Sequence, residues 1–305
     1  MSVADIWNSI FSFENYGEIL ALVQNSVWAG AVLGLLGGLV GTFVVRRDLA
    51  FAVHGISELS FAGAAFALLV GADVVSGSLV GSVLASLTIG FMGGRARSKN
   101  SIIGVLMPFG LGLGILFLSL YQGRSANKFG LLTGQIVAVD TVQLQVLASA
   151  ALAVIVVLAL VWRPLSFASV DAEMALARGV PVRFLGILFM FLLGVSVALS
   201  IQVVGALLVL ALLITPAAAA QRVTASPPLA VVLSVVFAVA ATVGGILLSL
   251  GGRIPISPYV TTLSFLIYAA CAGIGAARGR WGSSGRVLRA AETARTPSRA
   301  QTPAA

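Results

Sequence analysis

The side chains best able to do chemistry in this sequence lie in one apolar stretch, FAVHGISELSFAGAAFALLVG, at residues 51–71. It contains the only histidine, His54, and an acidic side chain deep inside apolar sequence, Glu58. Four residues apart on a helix, the two lie one turn apart on the same face. About 20 residues suffice to cross a bilayer as a helix. Because an ionisable pair inside such a segment marks a pathway for an ion or a polar substrate, the stretch predicts a pore face.

The chemistry of this pair suits a divalent metal ion. Imidazole nitrogen and carboxylate oxygen together favour transition metals such as zinc or manganese, and the hydroxyl of Ser57 lies beside them as a supporting group. At ~1.5 Å per residue, Glu58 is about 15 Å into a hydrocarbon core of ~30 Å, near its midplane. A second interpretation stays open, in which the pair hydrogen-bonds neighbouring helices and stabilises a dimer.

The whole sequence has the composition of a membrane protein. Of its 305 residues, 59% are hydrophobic and 9% are charged, whereas soluble domains carry about 25% charged residues. We therefore predict an all-α, polytopic membrane protein. The single cysteine, Cys271, excludes an intrachain disulfide. Residues 1–17 contain no Lys or Arg, so no cleavable signal peptide is expected.

Apolar segments separated by charged or turn-forming residues predict about nine transmembrane helices. If the connection after the first helix is cytoplasmic, 15 of the 18 basic residues lie on the cytoplasmic side. Only Arg124, Lys128 and Arg253 lie on the extracytoplasmic side. Positive charge concentrates in cytoplasmic loops, so we expect the N-terminus outside and the C-terminus inside. The predicted spans are residues 19–45, 50–71, 74–94, 101–121, 140–162, 184–200, 203–221, 228–250 and 258–277.

These spans form one transmembrane domain over residues 19–277, with a shorter segment at each end. Residues 1–18 are rich in aromatic side chains, which predicts an extracytoplasmic segment lying on the membrane surface, with a disordered arm as the alternative. Residues 278–305 are polar, basic and rich in small residues. This composition predicts a disordered cytoplasmic tail that is attracted to anionic membrane lipid.

The cytoplasmic connection over residues 163–183, RPLSFASVDAEMALARGVPVR, is longer than a simple turn needs to be. Pro164 is expected to stop the fifth span. Ser169 or Asp171 can cap a short helix of good helix formers at residues 172–177, and a glycine and a proline follow at 179 and 181. The pattern predicts a shaped cytoplasmic surface, although an ordinary amphipathic connector fits the composition equally well.

Several kinds of chemistry are excluded by what the sequence lacks. It contains no G-x-x-x-x-G-K-[ST] motif, so we do not expect this chain to hydrolyse ATP through a P-loop. With one histidine and one cysteine, a single chain cannot build a closed structural zinc site of the usual kind. We expect no catalytic residue, no covalently bound cofactor and no nucleic-acid partner. Pro216, inside the seventh predicted span, is expected to kink that span and is a candidate gating residue.

Three stretches of the sequence resemble the metal-ion permease subunits of bacterial ABC importers for zinc, manganese or iron, the ABC-3 type. The first is HGISEL at residues 54–59 with GAA at 63–65. The second is VDAE at 170–173, with Ala175 and then GV at 179–180. The third and most specific is VVGALL at 203–208, running on to LITPAA at 213–218. The sequence departs from the family pattern at the metal face, where Asp…His becomes His54…Glu58.

The resemblance implies a multi-pass protein of the bacterial plasma membrane that works as a homodimer. Two His54 and two Glu58 would then line one pore, and zinc, manganese or iron would be the transported ion. A separate ATPase subunit would hold the ATP, and an extracytoplasmic binding protein would deliver the metal. The residues implied in docking the ATPase are Asp171, Glu173, Ala175, Arg178 and Gly179.

Two other transport functions remain as alternatives at this point. One is a standalone secondary metal or proton-coupled transporter that uses Glu58 as its proton site. The cytoplasmic connection argues against it, because a secondary carrier needs no ATPase dock. The other is a permease for a chelated metal. The His54 and Glu58 pair argues against that one, because a wide chelate pathway should be lined by apolar and neutral groups.

Overall fold

The computed structural model describes residues 17, 20, 22–92, 96–123, 130–131, 139–206, 208–251 and 255–295. This part of the chain is folded into helices, which confirms the predicted all-α class. In chain order the helices are α1 Gln24–Arg46, α2 Ala50–Val70, α3 Val74–Met92, α4 Ala96–Leu120, α5 Thr141–Leu160, α6 Trp162–Val170, α7 Ala172–Ala177, α8 Val182–Val204, α9 Val209–Leu213, α10 Thr215–Val223, α11 Pro227–Ser249 and α12 Ile256–Arg295.

Eight of these helices are long and apolar enough to cross a membrane. They are α1, α2, α3, α5 and α11 in full, together with Asn100–Leu120 of α4, Val182–Ile201 of α8 and Ile256–Ala277 of α12. A helix needs about 20 predominantly apolar residues to span the hydrocarbon core. The prediction of a polytopic membrane protein is therefore confirmed.

The predicted seventh span, residues 203–221, is not one continuous helix. It is a bent pair, α9 and α10, which together run from Val209 to Val223. At ~1.5 Å per residue the pair covers about 22 Å, less than a core of ~30 Å. The break lies at Ile214, and Pro216 occupies the first turn of α10. Proline lacks the N–H that would continue the helix, which accounts for the predicted kink.

The bent pair nevertheless carries the chain from one side of the molecule to the other. At one side, Ser257 Oγ at the start of α12 donates to the Val204 carbonyl at the end of α8. At the other side, α12 passes so close to the end of α10 that a Cβ on Gly275 would lie 2.6 Å from the Arg222 carbonyl oxygen. These two positions on α12 are separated by about 27 Å of helix. The bent pair thus keeps the alternation of sides that the sequence predicts.

Contacts between distant segments show which helix ends share a side. Arg46 Nη2 donates to the Pro227 carbonyl at 3.1 Å, so the end of α1 meets the start of α11. At the opposite side, Asn25 Nδ2 donates to Thr141 Oγ1 at 3.3 Å and joins the starts of α1 and α5. Which of the two sides faces the cytoplasm stays a prediction from the charges.

The connection between α5 and α8 is a pair of short helices. Pro164 does not stop the fifth span as predicted; α5 already ends at Leu160, and Pro164 lies in the first turn of α6. Proline is tolerated there, because the N–H groups of a first turn have no partner within the helix. The predicted short helix forms as α7, Ala172–Ala177, with Asp171 Oδ1 accepting from Met174 N at 2.9 Å. Gly179 then adopts a φ of +79°, a left-handed conformation that favours glycine.

Separate predictions were made for the two ends of the chain, residues 1–18 and residues 278–305. The last helix, α12, continues to Arg295, and the disordered cytoplasmic tail predicted for residues 278–305 stays a prediction. The sequence VLRAAETAR at 287–295 is rich in helix formers, and extending an existing helix requires no new nucleation. Residues 296–305 lie outside the described residues, as does nearly all of the predicted surface segment at 1–18.

Candidate functional site

The pair of His54 and Glu58 lies on α2 as the spacing predicts. His54 Nε2 is 3.6 Å from Glu58 Oε1, and the two side chains are 37% and 14% exposed. This separation is longer than a well-formed hydrogen bond. The distance therefore leaves the two groups near one another without a direct hydrogen bond between these two atoms.

Ser57 is positioned differently from its two neighbours. Its hydroxyl is buried and donates to the Ala206 carbonyl at 3.1 Å. Ala206 belongs to the turn between α8 and α9, which begins at Gly205 with a φ of +84°. The hydrogen bond of Ser57 thus ties this turn to α2. Ser57 can therefore support the predicted metal face by holding α2 against this turn.

The backbone of α2 at the site is held by close approach of its neighbours. A Cβ on Gly110 of α4 would lie 2.9 Å from Leu59 N and 3.0 Å from the carbonyl carbon of Glu58. On another side of α2, a Cβ on Gly63 would meet the Gly77 carbonyl of α3. Small residues allow helices to approach backbone to backbone in membranes. Glu58 is therefore carried on a helix that has little room to move.

A cavity of about 590 Å³ opens beside His54. Its near wall is the start of α2, and its far wall is the bend between α9 and α10, with Ile214 and Thr215. Met107 of α4 contributes a thioether. Pro216 follows directly and is buried behind that wall. The structure therefore places His54 across one cavity from Ile214 and Thr215 at the bend, whereas Glu58 and Pro216 do not line this cavity.

Sequence reasoning missed Thr215 and Met107 as lining residues of this cavity. Thr215 could have been predicted, because it directly precedes Pro216 in the stretch LITPAA. A proline there predicts a helix bend, which places Thr215 at the break. No local signal points to Met107, since its neighbours in α4 are uniformly apolar. Its place beside His54 follows only from the packing of α4 on α2.

Within one chain the possible ligands for a metal are few. The described residues contain no group of three or more His, Cys, Asp or Glu side chains that could hold a metal ion. His54 and Glu58 are thus a pair without a third such partner in the described part of the same chain. A single chain presents half of a four-ligand set at this position.

The residues predicted to dock an ATPase form a separate surface on and around α7. Asp171, Glu173, Arg178 and Gly179 are exposed, and Ala175 is fully buried beneath them. The surface also presents two apolar side chains to solvent, Met174 and Leu176. The structure does not bring this surface to the His54 and Glu58 pair, so any communication between the two must pass through the helices.

One packed route runs from the connector into the helical core. Trp162, the first residue of α6, packs edge-on against Phe43 of α1, with 4.7 Å between ring centroids. Phe43 contacts Phe189 of α8 at 5.8 Å, and the Arg47 guanidinium lies 5.6 Å from the centre of the Phe189 ring. Aromatic rings and a cation over a ring face are favourable contacts. They attach α6 to the ends of α1 and α8.

Known proteins share both this sequence pattern and this fold. Residues 20–273 match the model of the ABC 3 transport family. The manganese transport system membrane protein MntC of Halalkalibacterium halodurans is 32% identical over 228 residues, which is 74% of this chain and 78% of that protein. The manganese import system permease protein ScaB of Streptococcus gordonii is 28% identical over 247 residues, 81% of this chain and 88% of that one.

Among solved structures, PsaBC from Streptococcus pneumoniae in complex with Fab has the same fold. It superimposes with a TM-score of 0.75 at 26% sequence identity, over 84% of this chain and 94% of that chain. Together with the eight apolar helices, these likenesses identify a multi-pass protein of the plasma membrane. Because the family model covers far more than half of the sequence, the chain is a member of the ABC 3 transport family.

Proposed function

We propose that this chain is the permease subunit of an ATP-binding-cassette importer that moves a divalent transition metal into the cytoplasm. The observation that carries the proposal is the pair of His54 and Glu58 on one membrane helix, with His54 lining a cavity whose opposite wall is a broken helix. Manganese is the first candidate, because the relatives from H. halodurans and S. gordonii are named for manganese. Imidazole and carboxylate also accommodate zinc and iron, which are the alternatives.

The electrostatic role of Glu58 in this proposal is to offset the loss of hydration of the ion. A divalent cation inside the hydrocarbon region loses favourable contacts with water, and a carboxylate nearby compensates part of that cost. His54 supplies a neutral nitrogen ligand on the same helix face. Because α2 runs outward from the predicted cytoplasmic side, an ion delivered from outside reaches Glu58 before the more exposed His54.

We further propose that two copies of the chain form the pore. One copy contributes His54 and Glu58, and a two-fold axis beside α2 would bring two of each together. Four ligands of nitrogen and oxygen type are then available at one level of the membrane. This arrangement supplies the coordination number that a single chain lacks.

The partners follow from the two opposite surfaces. A separate ATPase subunit docks on α7, where Met174 and Leu176 offer apolar contact and Glu173 and Arg178 offer charged contact. An extracytoplasmic binding protein delivers the metal to the other side. Closure of the ATPase pair on ATP moves α6 and α7, and the contact of Trp162 with Phe43 passes the movement to α1 and α8. The bend before Pro216 is the segment that opens and closes the cavity.

The test is metal uptake into vesicles that contain this chain, its ATPase and its binding protein. Glu58→Gln and His54→Ala are each compared with the unchanged chain, and manganese, zinc and iron compete for uptake. We expect both variants to lose ATP-dependent uptake, because each removes one ligand from both copies. The competition identifies the metal. Asp48→Asn is the matched control, since Asp48 is exposed at φ +54°, a conformation that asparagine accepts readily.

Two results would contradict the proposal. Uptake equal to that of the unchanged chain in both variants would make His54 and Glu58 a structural pair between helices. Uptake that proceeds without the ATPase and follows a proton gradient would instead support a secondary transporter that uses Glu58 as its proton site.

A further inference from the structure

Besides the cavity at His54, a groove lies on the protein surface, at the side of the molecule where α1 ends. It has a volume of about 490 Å³. The end of α1, the whole of α6 and the start of α11 surround it. None of the residues that line this groove also lines the cavity beside His54. Six of the residues that line it carry the argument: Arg46, Trp162, Arg163, Ser166, Phe167 and Pro228.

Two positive charges at this groove have no counterion among the residues that the structure describes. Arg46 donates one hydrogen bond to the Pro227 carbonyl, which leaves most of its five N–H groups unused. Arg163 is exposed. Neither forms an ion pair within the described part of the chain. Two guanidinium groups at one groove match the charge of a phosphate group, and each can donate two parallel hydrogen bonds to its oxygens.

A buried hydroxyl at the same groove lacks a hydrogen-bond partner. Ser166 Oγ is inaccessible to solvent and has no partner among the described residues. More than nine in ten buried polar groups in proteins are hydrogen-bonded. Because the residue Ser166 lines the groove, a change of its side-chain rotamer would let the hydroxyl reach an acceptor oxygen of a bound group.

The apolar part of the groove continues along the membrane-facing side of α1. At 3.6 residues per turn, Arg46 lies on the same line of the helix surface as Leu39, Leu35 and Trp28, to within about 20°. Trp28 is 64% exposed and Leu35 is 39% exposed. The helices α5 and α11, which pack against α1, also carry exposed apolar residues, among them Leu160 and Val232. A charged end is thus joined to an apolar strip that runs into the membrane.

We propose that this groove binds one anionic phospholipid, whose phosphate contacts Arg46, Arg163 and the hydroxyl of Ser166 while one acyl chain follows the apolar strip of α1. Basic pockets between membrane helices bind anionic headgroups in this way. Trp162 and Phe167 cover the junction of headgroup and chain, the depth at which aromatic residues are enriched. Because Trp162 and Arg163 begin α6, a bound lipid would attach the connector to the membrane.

The experiment uses the full chain with Trp162 as its single tryptophan, made by Trp7→Phe, Trp28→Phe and Trp281→Phe. It is reconstituted with increasing fractions of brominated phosphatidylglycerol or brominated phosphatidylcholine, both of which quench tryptophan fluorescence on contact. We expect phosphatidylglycerol to quench Trp162 at lower fractions than phosphatidylcholine. Arg163→Gln should reduce this preference about five-fold, the effect of one basic residue near an anionic surface.

The matched control is Arg183→Gln, which removes an exposed arginine at the start of α8, outside the groove. It should leave the preference unchanged. Equal loss in both variants, or equal quenching by the two lipids, would overturn the proposal in favour of general surface attraction. Displacement of the lipid by soluble glycerol phosphate would show a site for free phosphate instead. Loss of quenching by both lipids when the ATPase is added would show a protein-docking groove.

Discussion

The cavity beside His54 has α2 on one side and the α9–α10 pair on the other, and the two walls are built differently. The α2 wall is one continuous helix held by glycines of α3 and α4 and by the buried Ser78 of α3. The facing wall consists of helices of five and nine residues with a break at Ile214. The wall with the ionisable side chains is thus the rigid one, and the wall without them is interrupted. Ligands need a fixed backbone, whereas a gate needs a place where the backbone can bend.

The largest expected effect comes from breaking the rigid wall. Gly63→Val would force a side chain into the Gly77 carbonyl of α3, where no flexible group can move aside. Overpacking costs about 1–3 kcal/mol when side chains can adjust, so we expect a larger loss here and little folded protein. Fluorescence-detected size exclusion of the solubilised chain measures the folded yield.

Gly273→Val is the control for this substitution. It adds the same side chain to α12 at a position where a new Cβ would contact nothing within 4 Å. We expect a normal yield from this variant. Equal yields from Gly63→Val and Gly273→Val would mean that the packing of α2 on α3 is not what holds the wall.

An intermediate effect is expected from repairing the interrupted wall. Pro216→Ala restores a backbone N–H at the bend. It also removes the free-energy cost of a proline in a continuous helix, about 3 kcal/mol. If the bend is the gate, the variant should bind metal normally but import it more slowly. Parallel measurements of metal binding and of ATP-dependent uptake separate the two effects.

Pro108→Ala is the control for the bend. Pro108 lies inside α4, which stays one helix from Ala96 to Leu120 in its presence. Its removal should leave uptake unchanged. If Pro108→Ala slows uptake as much as Pro216→Ala does, loss of a proline has a general effect and the bend is not specifically the gate.

The smallest expected effect comes from loosening the link between the two walls. Ser57→Ala removes the hydrogen bond to the Ala206 carbonyl, which should lower stability by about 1 kcal/mol. Thermal melting of the solubilised protein measures the change. Ser119→Ala serves for comparison, because that hydroxyl bonds only the Leu116 carbonyl of its own helix and is exposed. A melting temperature no lower than that of Ser119→Ala would show that Ser57 does not hold the turn.

Features that depend on neighbouring residues in the chain could be predicted well. The spacing of His54 and Glu58 implies one helix face, and the structure has both on α2 at 3.6 Å. The capped helix at residues 172–177 forms where Asp171, the alanines and Gly179 predict it. The least accurate predictions concern the ends of elements. The predicted stop at Pro164 was wrong, because α5 already ends at Leu160 and a new helix begins before the proline.

The sequence by itself determined the class of the protein, the positions of its membrane segments and the two side chains available to a metal, because hydrophobicity and helix periodicity are local properties. Only the tertiary structure decided that the bend predicted at Pro216 divides the span into two short helices and that it faces His54. It also brought Arg46 to the same groove as Arg163 and Ser166, although more than a hundred residues lie between Arg46 and those two. Helices that pack through small residues can meet in many ways, and only the complete set of contacts selects one.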